Sequence, residues 1–286
     1  MSQASDRLPY GLSAPAIVAI LALVAVPLAL TFALSLYPLL PDNSIGTQLT
    51  LSNYQQVVGD GYYRSIFART FWMATLVTLV CVVIGAPEAW VLSRLSSRWR
   101  AVSIVIVLGP LLVSVVVRTL GWAILLGNEG LINKALLALG WVDEPVRLMY
   151  TFTGMVVALV HVLVPLMVLA VWASLQKIDA TVEQAAQSLG AGTLTVLRRI
   201  VLPQAIPGVL SGSLIVFSLA ASAFATPSII GGRRLKVVPT TIYDHFLNEL
   251  NWPMGAALAV VLVTIVLALS SLVNRIVERR YRQVFV

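Results

Sequence analysis

Three ionisable residues stand inside long apolar runs of this chain: Glu88, Arg118 and His161. A charge is costly at such a position, and where it is kept it usually serves a solute or proton pathway or sits in an ion pair. Arg118 fits a helix-bundle anchor or a pathway gate, and equally a structural ion pair with Glu88. Glu88 fits an interfacial carboxylate held by Arg94 or Arg98. His161 fits a hydrogen-bonded interior histidine better than a proton relay, because a relay wants a chain of acids. Catalysis has little to work with. His161 and His245 are far apart, and Cys81 is alone in an apolar run. That leaves no metal-ligand set and no disulfide framework. There is no Gly-x-x-x-x-Gly-Lys-Ser/Thr run to cradle nucleotide phosphates.

The densest pattern is polar and lies between two apolar spans, at residues 177–203. It carries Lys177, Asp179, Glu183, Arg198 and Arg199 and reads as two short helices. Thr181 with Gln184 has the spacing of a capping box. Val182, Ala185, Ala186 and Leu189 then share a helical face. Gly190 stands where a C-terminal cap would close that helix. A second run, from Thr193 to about Leu202, is expected to stop at Pro203. A small-residue face on a short helix outside the bilayer makes a poor core. It makes a good knob for a partner's groove.

The flanking sequence sets where these residues sit. Of 286 residues, 59% are hydrophobic and 11% charged, against about 25% charged in soluble domains. The chain is therefore an integral membrane protein. A crossing helix needs about 20 mostly apolar residues, and six segments qualify: about Ala14–Tyr37, Phe71–Leu95, Ala101–Leu126, Tyr150–Leu175, Gly208–Gly231 and Pro253–Ile276. The first is too long for a cleavable signal core of about 7–15 residues and reads as a retained helix. Helices are the spanning structure on offer, since backbone groups in lipid must be satisfied internally. Pro110, Pro165 and Pro227 permit bends, and Ala220–Ala223 is small enough for close helix approach. No soluble domain is evident, so residues 1–286 read as a single transmembrane domain.

Lys and Arg then orient the spans. One side holds Arg7, Arg94, Arg98, Arg100, Lys177, Arg198, Arg199, Arg275, Arg279, Arg280 and Arg282. The other holds Arg64, Arg69, Lys134, Arg147, Arg233, Arg234 and Lys236. The first set is richer and is expected to be cytoplasmic, with both termini. The net charge of +7 is thus topogenic, and no nucleic-acid partner is implied.

Gln184-Ala185-Ala186, Gly190, Ile200, Leu202 and Pro203 resemble, at every spacing, the signature of binding-protein-dependent ABC importer permeases, with Gln184 where that family usually has Glu. The resemblance implies an all-α permease of the type I importer kind with six transmembrane helices, in a bacterial cytoplasmic (inner) membrane. It implies that the 177–203 segment docks in a cleft of a separate ATPase dimer, with Ala185 and Ala186 seating the helix and Gly190 turning the chain. Leu202 and Pro203 tie that joint to the next membrane helix. ATP and Mg would belong to the ATPase, with no cofactor in this chain. A second, homologous permease and a soluble substrate-binding protein complete the implied assembly, with lipid around it. A contact from a charge at position 184 is in question. Glu183 points about 100° away around the helix.

Three further runs, Arg118–Asn133, Phe224–Gly232 and Asn251–Ala257, look like the first permease of spermidine/putrescine-type importers. On that resemblance the solute is a polyamine. An opine-like, amino-acid-derived or other small anionic solute is the alternative. Trp122, Glu129, Tyr243 and Asp244 lie near the expected outer mouth, where acids and ring faces can attract ammonium groups; Arg118 and the 233–236 basic cluster oppose this. A stand-alone secondary transporter or channel would need intramembrane acids or an inverted repeat, and a membrane-embedded enzyme would need clustered His, Asp or Glu. The pattern offers none of these.

The charge pattern makes a direct prediction. Reporter fusions after Arg100, Lys177 and Arg282 will read as cytoplasmic, and fusions near Asp60, Asp143 and Glu249 as external. An external C-terminus would sink this topology.

Overall fold

The computed structural model describes residues 8–178 and 180–281. Arg7, Asp179 and Arg282, which entered the charge reading, lie outside them. The described chain is almost entirely helical. Among the described residues its one β-bridge is an isolated antiparallel pairing of Leu39 with Ile45. Six helical stretches are long and apolar enough to cross a membrane: Ile17–Ser35, Gly61–Arg94, Val115–Ala138, Phe152–Leu175, Thr193–Ala221 and Trp252–Arg275. Chain contacts divide the molecule into two units, Met1–Arg64 with Thr241–Thr264, and Ser65–Thr240 with Ile265–Val286.

In the first unit, α1 (Leu8–Ser35) and α2 (Ser52–Gly59) are joined by a loop held by buried Asn53. Its Nδ2 donates to the carbonyls of Ser35 (2.9 Å) and Tyr37 (2.8 Å). Those are carbonyls that the end of α1 leaves without helical partners. Leu23, mid-way along α1, is 75% exposed, a surface suited to lipid.

The second unit is organised by α7 (Phe152–Leu175). Thr151 caps it, accepting from the Gly154 amide at 3.1 Å. Its apolar residues run around the whole helix, and Met155, Leu159, Leu163, Met167, Val168 and Val171 are buried. Such a helix belongs inside a bundle. Around it lie α3 (Gly61–Arg94), α4 (Ser97–Leu112), α5 (Val115–Leu126), α6 (Leu131–Ala138) and, beyond the polar segment, α10 (Leu202–Ala221). The α7–α10 contact is extensive. It is close because Gly208 faces Ser174 and Ala170; a Cβ at that position would come within 2.5 Å of the Ser174 Cβ and 2.9 Å of the Ala170 carbonyl oxygen. Small residues at such crossings let membrane helices approach where lipid supplies no hydrophobic drive.

Two expected spans are not single helices. The third is broken into α4 and α5 at Val113 and Ser114, whose ψ angles of 138° and 135° are extended. Pro110 starts this break, since the Val113 amide turns back to its carbonyl at 3.2 Å. The fifth begins at Leu202 rather than Gly208 and ends at Ala221. The chain leaves the helix at Ser222–Phe224 and is helical again by Thr226, after which Pro227–Gly231 forms a wide π-helical turn.

Candidate functional site

The polar segment folds as α8 (Ala180–Ser188), α9 (Thr193–Val196) and a wide turn, Leu197–Val201, running into α10. Pro203 does not stop the second run, contrary to expectation. The Leu202 amide reaches back to the Leu197 carbonyl, one residue further than in an α-helix. The extra residue in that turn moves Pro203 into the first turn of α10, where its missing N–H costs nothing. Likewise α8 opens at Ala180, so Thr181 lies inside the helix and not at its cap. The C-terminal reading holds. Gly190 has φ +85°, its amide donates to the Gln187 carbonyl (2.9 Å), and the Ala191 amide donates to Ala186 (3.0 Å). This is a Schellman closure, and glycine adopts the required left-handed backbone without penalty.

The face of α8 is divided. Ala186 packs against the core, whereas Gln184 and Ala185 are exposed, with Val182 (45%) and Leu189 (89%) beside them. Glu183 is engaged in an ion pair with Arg94 at the end of α3, and so is not free to replace a carboxylate at 184. Behind this surface Val196 and Val201 are buried and Ile200 packs on the core. Leu202 and Pro203 are exposed. The result is an apolar patch with buried roots, on a segment whose other side chains are polar.

Arg118 and Trp122 lie one turn apart on α5, toward α7. The Trp122 indole N–H donates to His161 Nδ1 at 3.1 Å, with the rings edge to face. His161 is hydrogen-bonded, as expected, but exposed rather than interior. Arg118 lines a cavity of about 380 Å³ with Leu159, Val162, Leu163, Phe224 and Thr226 among its neighbours. Among the described residues Glu88 pairs with none of its expected partners, Arg118, Arg94 or Arg98. Arg118 donates to the Val113 carbonyl at 3.2 Å. Arg94 is turned to Glu183 and lies over the Trp90 ring at 5.8 Å. Position 94 is about 120° around the helix from position 88, too far to reach it. Glu129 is exposed. Tyr243 and Asp244 belong to the other unit, where Asp244 accepts from Asn248 at 2.7 Å.

Polar residues within and beside these runs hold them in place. Buried Asn133 donates to the carbonyls of Gly127 (3.1 Å) and Val146 (3.0 Å) and accepts from the Val146 amide (2.9 Å). It therefore knots the loop that follows α5. Thr119 and Thr226 join hydroxyls at 3.1 Å, tying two of the three runs together. In the first unit, Asn251 caps α11 (Trp252–Tyr281) by accepting from the Met254 amide at 3.1 Å. His245 there is buried between the Tyr63 hydroxyl (3.1 Å) and Glu249 (2.7 Å). An isolated Asn or Thr gives no sequence signal for such roles.

A helical bundle with a wide-turn joint and an exposed apolar patch is the frame of a membrane permease. The family model for the binding-protein-dependent transport system inner membrane component matches residues 87–283. The spermidine/putrescine transport system permease protein PotB of Escherichia coli (strain K12) is 35% identical over 224 residues, 78% of this chain and 81% of that protein. PotB of Haemophilus influenzae (strain ATCC 51907 / DSM 11121 / KW20 / Rd) is 29% identical over 267 residues, 89% of this chain and 91% of its own. In fold, a bacterial alginate ABC transporter, solved in complex with alginate pentasaccharide-bound periplasmic protein, superposes with a TM-score of 0.80 at 17% identity, covering 96% of this chain and 95% of that one. The chain belongs to the family of inner membrane components of binding-protein-dependent transport systems. It is a multi-pass permease subunit, the pore-forming part of an importer rather than its catalyst.

The Asn133 knot predicts a loop phenotype. Asn133→Ala leaves buried carbonyls unpaired, at about 1–3 kcal/mol for such a group. The loop from Gly127 to Val146 will become sensitive to limited proteolysis in purified protein while the α7–α10 core stays protected. Unchanged cleavage would refute the knot.

Proposed function

We propose that residues 1–286 form one half of the pore of an ATP-driven importer and that residues 177–203 are its dock on a separate ATPase dimer, which carries ATP and Mg. The observation that carries this reading is the exposed Val182–Ala185–Leu189 surface, closed by Gly190 and rooted by Ala186, Val196 and Val201. Glu183, Gln184, Ile200, Leu202 and Pro203 complete the dock. Both termini and the dock face the cytoplasm, and a soluble binding protein delivers solute outside. ATP and loaded binding protein can switch access only if each favours one state differentially. The wide turn makes α8, α9 and α10 a continuous path by which closure of the ATPase reaches the α7 contact. A second, homologous permease supplies the other half.

Leu189→Glu puts a charge on the dock without touching the core, and Gly190→Val forces a β-branched residue to a left-handed backbone, at about 1–3 kcal/mol. Both will reduce copurified ATPase and transport at least tenfold, with unchanged protein in the membrane. Retention of ATPase and transport by both variants would remove the dock from this segment.

The solute we infer is a polyamine. Its support is the 35% identity to PotB, with Trp122, Glu129, Tyr243 and Asp244 as pathway residues. The reconstituted complex will take up labelled putrescine and spermidine saturably, and less of both in Glu129→Gln and Asp244→Asn. Import of a carboxylated solute in place of polyamines would leave the importer standing and end the polyamine reading.

A further inference from the structure

The Arg118 guanidinium is under-compensated. Nη2 donates to the Val113 carbonyl at 3.2 Å, while Nε and Nη1 are buried without an acceptor. The surrounding cavity of about 380 Å³ is walled by leucine, valine, alanine and phenylalanine. Its hydroxyls are committed elsewhere: Ser222 donates to the Ser218 carbonyl at 2.9 Å, and Thr226 is joined to Thr119. No carboxylate lines it. A charge held in apolar surroundings wants a counter-charge with matching hydrogen bonds. The guanidinium fork suits a carboxylate in particular.

A second donor lies close by. The indole N–H of Trp122 can only donate, so His161 Nδ1 accepts. The neutral imidazole then carries its proton on Nε2. His161 is exposed, and Nε2 has no partner among the described residues. Trp122, one turn from Arg118 on the same face of α5, thereby leaves a second N–H on the exposed ring of His161. Around this point the molecule offers donors and no acid.

We propose that Arg118 and His161 form a receptor for a carboxylate that this chain does not supply. The inference rests on the reading of the chain as half of a pore. The carboxylate comes either from an Asp or Glu of the companion permease, closing the resting pore, or from the solute. When it binds, the Arg118–Val113 clasp across the α4–α5 break is released.

The test uses the whole complex in proteoliposomes with Arg118→Gln, Arg118→Lys and Trp122→Phe, each checked for copurified ATPase so that loss of assembly is told apart from loss of this site. Two readouts are taken: ATP hydrolysis without binding protein, and uptake of labelled putrescine and labelled ornithine, which differ by a carboxylate. A companion carboxylate predicts that Arg118→Gln raises binding-protein-independent hydrolysis at least fivefold and lowers putrescine uptake. A solute carboxylate predicts unchanged hydrolysis and putrescine uptake, with ornithine uptake reduced at least tenfold. In either case Trp122→Phe, which leaves the clasp intact, shows the same change at threefold or more, and Arg118→Lys is milder than Arg118→Gln. Should Arg118→Gln assemble with every rate within twofold of the unaltered complex, or Trp122→Phe be silent, the receptor is overturned. If Arg118→Gln fails to assemble, Arg118→Lys decides on the same rates.

Discussion

A helix that ends in or near a bilayer leaves its last carbonyls without partners, and lipid cannot supply them. In this chain, side-chain donors reach into such ends. Asn53 takes the carbonyls of Ser35 and Tyr37 at the end of α1. Arg100 donates to the Leu95 carbonyl just past α3 at 2.9 Å. Arg118 takes Val113 after α4 and Asn133 takes Gly127 after α5. Breaks that would otherwise be costly become fixed joints. The alternative device is the wide turn, in which the chain reaches back one residue further and carries Pro203 into α10; Pro227 opens a second such turn, which ends at Gly231.

These joints matter because the bundle has little else to hold it in register. Lipid tails are as apolar as leucine, so apolar burial does not by itself draw helices together in a membrane. Close packing does, and here it is concentrated on α7. The polar segment joins this core directly through Val196, Ile200 and Val201, and runs into α10, whose Gly208 meets α7. Ala186 on the core and Glu183 on Arg94 give α8 two further attachments, to the bundle and to the end of α3.

The legible part of this architecture was local. Apolar runs announced six spans because a bilayer demands length and composition together. Gly190 announced its own cap because few other residues tolerate that backbone angle. The polar segment was legible because polarity between two spans is conspicuous. The breaks were not. Pro110 and Pro227 permit a bend, but a proline can also be absorbed, as Pro203 is, and nothing in a run of valines around Val113 says which will happen. The partner of Arg118 was illegible for a related reason. An acid in the neighbouring span was the obvious counter-charge, whereas the structure uses a backbone carbonyl that exists only because the helix breaks. Asn133 and Thr226 stood in recognised runs, but a single polar side chain does not announce which backbone group or hydroxyl it will bond.

The two uses of arginine in this chain show how far a carbonyl can stand in for a counter-ion. Arg100 grips the Leu95 carbonyl just past α3, and only its Nε is left buried without an acceptor. Arg118 grips one beside an apolar cavity, where its Nε and Nη1 are both left so. A carbonyl offers a dipole and one or two hydrogen bonds, not a full charge, so such a clasp leaves Arg118, with two buried nitrogens unpaired, shorter of partners than Arg100 with one. A permease that only needed to stabilise the α4–α5 break could have used asparagine, as it does at positions 53 and 133, without bringing a charge to the cavity. The guanidinium exceeds what the break requires, and that excess is available to whatever anion the assembled pore presents.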